Sequence, residues 1–73
     1  MEIKLNLDKL LKEKKRSKYW LSKETGISQG NINKMYKNET TAIKFDVLLR
    51  ILLALECEPN DIFRIEENTN EDQ

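Results

Sequence analysis

Residues 17–38 read SKYWLSKETGISQGNINKMYKN, and this stretch decides the architecture of the chain. Ser17 stands ahead of Leu21 and Thr25, and Ser28 stands in the same way ahead of Ile32 and Met35. A serine hydroxyl can accept one of the backbone N–H groups that the first turn of a helix leaves unpaired, so each serine marks a helix start. Gly26, between the two, has the backbone freedom that a tight turn requires. The pattern predicts two short helices meeting at a glycine corner.

The second of these helices, over residues 28–37, divides into two faces. Ile32 and Met35 are three apart and point back toward Leu21 and Ile27, while Ser22 is small enough to let the helices approach. The other face is polar, with Gly30, Asn33, Lys34 and Lys37 flanked by Gln29 and Asn31. A helix held by its apolar side and presenting amides and lysines on the other is suited to reading base edges in a major groove.

The spacing Ser17-x-x-x-Leu21-Ser22-x-x-Thr25-Gly26-Ile27-Ser28-x-x-x-Ile32-x-x-Met35 resembles the Cro and phage-repressor (XRE-like) helix-turn-helix DNA-binding family. The likeness continues through Ile43, Phe45, Asp46 and Leu48 and on to Ala54, Leu55, Cys57, Pro59, Asp61, Ile62 and Phe63. It implies an all-α, lambda-repressor-like domain of four to five short helices acting on double-stranded DNA as a homodimeric, cytoplasmic transcriptional repressor. Three positions depart from the family pattern. Ser22 stands where alanine is frequent, and Asn38 and Glu56 stand where glycine is frequent. Asparagine tolerates a left-handed backbone, but glutamate does so poorly, so the resemblance does not fix the helix end at Glu56.

Within that reading, Gln29 and Asn33 have the amide geometry for base edges, Lys34 has the reach for guanine O6 and N7, and Gly30 lets a base methyl or the backbone come close. Lys18, Tyr19, Ser28, Asn31, Lys37, Asn38, Thr40 and Lys44 are the candidates for phosphate contacts, which fix register without reading sequence. Turn chemistry alone would also account for Asn38, Thr40 and Thr41.

Composition sets the outer limits. Seventy-three residues make one small domain with a modest core, expected over 1–67, with 68–73 an acidic, disordered tail lacking apolar side chains. The net charge is zero, yet residues 1–50 hold 12 Lys and Arg against 6 Asp and Glu, while residues 51–73 hold 1 against 7. A basic half that faces DNA and an acidic remainder fit this polarity. There is no histidine, no glycine-rich phosphate loop and no nucleophile elbow, so no enzyme, cofactor, metal or small-molecule ligand is expected. The single Cys57 excludes an internal disulfide and reads as a small, partly buried apolar side chain. No apolar run is long enough to span a membrane.

Outside the central stretch, Ile3, Leu5 and Leu7 alternate with polar residues as a short strand does, and Phe63-Arg64-Ile65-Glu66 alternates again. Each is too short to persist alone, so the two are expected to pair as an antiparallel ribbon. Leu7, Leu10 and Leu11 mark a first helix ending near Lys15. A later helix runs from Phe45 to Leu55 with Asp46 in its first turn, and Pro59 opens a last short one. The expected core is Leu10, Leu21, Ile27, Ile32, Met35, Phe45, Leu48, Leu52, Leu55 and Phe63. The apolar arc of the Phe45 helix exceeds one face, because Val47, Ile51 and Leu53 widen it. Either neighbours cover it nearly all round or part of it meets a second subunit. That surplus and the acidic C-terminal third also motivate a different class of function, a protein-binding or dimerisation module of antitoxin-like or regulator-binding kind.

Overall fold

The computed structural model describes residues 1–67; the expected tail 68–73 lies outside them. In chain order the elements are β1 (Glu2–Leu5), α1 (Leu7–Lys14), α2 (Lys18–Thr25), α3 (Gln29–Tyr36), α4 (Phe45–Leu55), α5 (Pro59–Ile62) and β2 (Phe63–Glu66). The two strands pair antiparallel, Ile3 opposite Ile65 and Leu5 opposite Phe63. This is the all-α, five-helix architecture with a terminal ribbon that the sequence implies.

The corner between α2 and α3 is built as the serines and glycine dictate. The Ser17 hydroxyl accepts the Trp20 N–H at 3.0 Å, and that of Ser28 accepts the Asn31 N–H at 3.2 Å. Gly26 closes α2 at φ 77°, its N–H donating to the Ser22 carbonyl. Side chains then pin the turn from within. Ser22 donates its hydroxyl to the Ile27 carbonyl at 2.6 Å, a bond that alanine cannot make. Thr25, buried, donates to the Leu21 carbonyl at 2.6 Å and accepts the Ile27 N–H at 3.2 Å. At α5, Pro59 occupies the first turn, where a missing N–H costs nothing, and Asp61 accepts the Glu58 N–H at 2.9 Å in a capping box.

Among the described residues, three other than glycine have left-handed backbones: Lys15 (φ 58°), Asn38 (φ 60°) and Glu56 (φ 53°). Glutamate therefore does end α4. The N–H groups of Glu56 and Cys57 donate to the Leu53 and Leu52 carbonyls at 3.3 and 3.1 Å, and satisfying those orphan carbonyls offsets a conformational cost of roughly 1 kcal/mol. Glu56→Gly removes that cost and loses some of the gain to unfolded-state entropy. The expected net effect is a stabilisation of about 0.5 to 1 kcal/mol, read as a melting midpoint higher by roughly 2 to 8 °C. A midpoint that fell would show that the left-handed turn is not strained.

Among the described residues, eleven form the buried core, with Leu21, Ile32, Ile51 and Ile62 completely inaccessible at its centre. Phe45, expected inside, is 88% exposed, and Leu48, Leu52 and Phe63 are only partly buried. The helix α4 is rotated so that Ile51 and Leu55, four apart, meet α1 and α2. Phe45 is the first residue of α4, and its place about 100° round the helix from that ridge leaves its side chain in solvent.

Candidate nucleic-acid interface

Ile32 and Met35 anchor α3 in the core beside Leu21 and Ile27. Their burial sets the rotation of the helix and turns Gln29, Gly30, Asn31 and Lys34 to solvent, with Lys37 following at the exposed C-cap. All of these are sequence-predicted contact residues. Gly30 has an ordinary helical backbone, and a Cβ built there would meet nothing within 4 Å. The fold therefore does not demand a glycine at this position, and open space lies over it.

Charge on this side is uncompensated. First-turn acids sit on α1 (Asp8), α4 (Asp46) and α5 (Asp61), but the first turns of α2 and α3 carry none. The positive ends of these two helix dipoles are left for an external anion. Among the described residues the three ion pairs are Lys4–Glu2, Arg50–Asp46 and Arg64–Glu66, so none engages Lys18, Lys34, Lys37 or Lys44.

At one flank of α3, Lys18 donates its ammonium to Asn33 Oδ1 at 3.0 Å and lies 4.4 Å from the centroid of the Tyr36 ring. Asn33 is half-buried by this arrangement. Lys9, Lys12, Arg16 and Ser17 join Lys18 and Tyr36 around a cleft that Asp8 also lines and that is basic on balance. Of these, Ser17 and Lys18 are singled out by the sequence pattern, and the structure adds Lys9, Lys12, Arg16 and Tyr36. The signal for Tyr36 is its place three residues after Asn33, which sets both on the flank facing the start of α2.

Tyr19 is 56% exposed in the first turn of α2, with the Lys23 ammonium 5.6 Å from its ring centroid. Trp20 is half-buried at the rim beneath the Arg16 guanidinium, 4.5 Å away. At the other flank, Thr40 and Lys44 share a hollow with Asn31, Ile27 and Met35.

Asn38 is occupied differently. Its Oδ1 accepts the Leu5 N–H at 2.6 Å and its Nδ2 donates to the Leu5 carbonyl at 3.2 Å. The side-chain amide thus pairs with β1 as another strand residue would, which ties the end of α3 to the terminal ribbon. What it offers a phosphate is the position of its neighbours.

Cys57 is half-buried, and burial pushes its thiol up, with the Asp61 carboxylate adding to the effect and Lys14 opposing it. Such a thiol stays protonated and unreactive at neutral pH. Among the described residues no cluster of three potential metal ligands exists, and no helix is long and apolar enough to cross a membrane.

The chain belongs to the Cro/C1-type helix-turn-helix DNA-binding domain family, which its residues 6–68 match. That family binds DNA and is not a catalytic one. Over 71 residues the chain is 37% identical to the Bacillus subtilis (strain 168) protein called uncharacterized HTH-type transcriptional regulator YozG, covering 94% of this chain and 84% of that one. It is also similar to the crystal structure of the transcriptional regulator VanUg, at TM-score 0.68 and 30% identity, over 88% of this chain and 87% of that one. A Bacteroides fragilis crystal structure shares the fold at TM-score 0.77 with 22% identity, covering 86% of this chain and all of the other.

Proposed function

We propose that this DNA-binding regulator is a cytoplasmic repressor that reads the major groove with α3 as a homodimer. The outward face of α3 carries the reading. Gln29, Gly30 and Lys34 stand clear of the fold, two helix N-termini beside them lack acidic partners, and no acid lies on α3 itself. Gln29, Asn33 and Lys34 are assigned to base edges, Asn33 through a rotamer that exchanges Lys18 for a base. Lys18, Tyr19, Ser28, Asn31, Lys37, Thr40 and Lys44 are assigned to the backbone, with Asn38 holding the end of α3 in register.

Homodimerisation follows from information content. One short helix meets only a few base pairs, and two half-sites about one helical turn apart multiply the discrimination. Repression asks least of such a chain, since occupying a promoter is sufficient to exclude another protein from it. Selection of bound duplexes from a random pool tests the reading. The expected product is an inverted repeat with half-site centres roughly 34 Å apart. A pool that yields no shared sequence would overturn it.

A further inference from the structure

The cleft beside α3 holds part of its charge on aromatic rings. Lys9, Lys12, Arg16 and Lys18 face it against the single acid Asp8, and no ion pair of the described residues engages any of the four. The Arg16 guanidinium carbon lies 4.5 Å from the centroid of the Trp20 ring, and the Lys18 ammonium 4.4 Å from that of Tyr36. Both rings are half-buried and packed against the core. Each is therefore a fixed plate under a long side chain that would otherwise sample many rotamers.

We infer that Tyr36 and Trp20 are positioning residues for DNA binding: they hold Lys18 and Arg16 in place as a seat for the phosphodiester backbone of the duplex whose bases α3 reads. The inference rests on the proposed reading of the groove by α3 and adds to it the groups that keep the backbone contacts in order.

A cation over a ring is attracted to the negative face and still has donors to spend. The Lys18 ammonium carries three N–H donors, and the 3.0 Å bond to Asn33 Oδ1 and the Tyr36 ring occupy at most two of them. One remains for a phosphate oxygen. When Asn33 turns to a base edge, the ring still holds the ammonium. The Arg16 guanidinium has five donors in a planar fork, so it can touch Trp20 and grip two phosphate oxygens at once.

Position selects the occupant. Lys18 touches Asn33 on α3, so an anion at Lys18 lies beside the helix that enters the groove, where the backbone of the same duplex runs. The remaining pair, Lys23 over Tyr19, is wider at 5.6 Å, and Tyr19 is 56% exposed, so that ring is a less fixed plate.

A positioning ring contributes affinity without charge. Its removal leaves the number of neutralised phosphates unchanged, so the salt slope stays the same, while the freed side chain must be ordered on binding and affinity falls. Loss of the cation itself lowers both.

The test measures duplex affinity of the full chain across a salt series, on specific and scrambled sequences, well below the unfolding midpoint of each variant. Tyr36→Leu is expected to weaken binding about two- to fivefold per half-site, equally on every duplex and with the slope of log K against log salt unchanged. Tyr36→Phe keeps the ring and should bind as the parent does. Lys18→Ala should weaken binding and lower the slope by roughly 0.9 for each copy bound. Adding Tyr36→Leu to Lys18→Ala should then cost nothing more, because the ring has no cation to hold. Trp20→Leu, Trp20→Phe and Arg16→Ala should repeat the pattern at the second pair.

Tyr36→Leu binding as tightly as the parent, or tighter, overturns the inference, since the ring would be idle or would compete with the phosphate. Equal losses for Tyr36→Phe and Tyr36→Leu overturn it as well, because the hydroxyl would be the contact. So does a Tyr36→Leu loss that persists undiminished in the Lys18→Ala background. Base preference, read from the same duplexes, tests the α3 reading separately. These variants leave Gln29 and Lys34 in place, so a parent without sequence preference would refute that reading while uniform affinity and salt slope still decide the role of the rings.

Discussion

Leu21→Ala is expected to lower the unfolding free energy by about 2 to 5 kcal/mol, whereas Phe45→Ala should change it by less than about 0.5 kcal/mol. Leu21 has no accessible surface and lies where α2 packs on both α3 and α4, so its removal leaves a cavity that three helices border. Phe45 is 88% exposed, and truncating it takes almost nothing out of the core. A domain of this size has about 5 kcal/mol of stability to lose, so the first variant should be largely unfolded near body temperature. Thermal unfolding in dilute solution, followed by circular dichroism, checks both. Equal shifts for the two variants would place Phe45 back inside and refute the observed rotation of α4.

That pair of residues also marks where the sequence is informative and where it stops. Along α2 and α3, polar and apolar positions separate cleanly, and the capping serines, Gly26 and the buried pair Ile32 and Met35 were all legible. On α4 only Asp46 and Arg50 interrupt an arc of apolar residues, so periodicity cannot say which part of the arc faces inward. Packing decides it, and packing chose Ile51 and Leu55. The ribbon was readable from two short alternations, but its link to α3 was not. Asn38 reaches Leu5 across 33 residues, and no local pattern announces such a bond. The same holds for Lys18, whose partners Asn33 and Tyr36 come from the next helix. Exposed polar residues of α3 could be named from the sequence; which of them other side chains already hold could not.

The second large effect separates residues that read sequence from those that hold the backbone. Lys34 stands on the outward face of α3, exposed and in none of the ion pairs of the described residues, so Lys34→Ala is expected to cost about 1 to 3 kcal/mol on the preferred site and to relax preference at one base pair in each half-site. Lys37 is the C-cap of the same helix, and on the proposed reading it stands beyond the turns that enter the groove, with a phosphate as the nearer partner. Lys37→Ala should weaken all duplexes about equally. It should also reduce the slope of log K against log salt by roughly 0.9 for each phosphate that the protein no longer neutralises, and by about twice that for a symmetric dimer. Affinities of both variants on specific and scrambled duplexes across a salt series distinguish the two behaviours. If Lys34→Ala reduced the salt slope while leaving base preference intact, Lys34 would be a backbone contact and the reading would fall to Gln29 and Asn33. If neither variant differed from the parent on any duplex, the outward face of α3 would be solvated surface, and the protein-binding reading of this fold would take precedence.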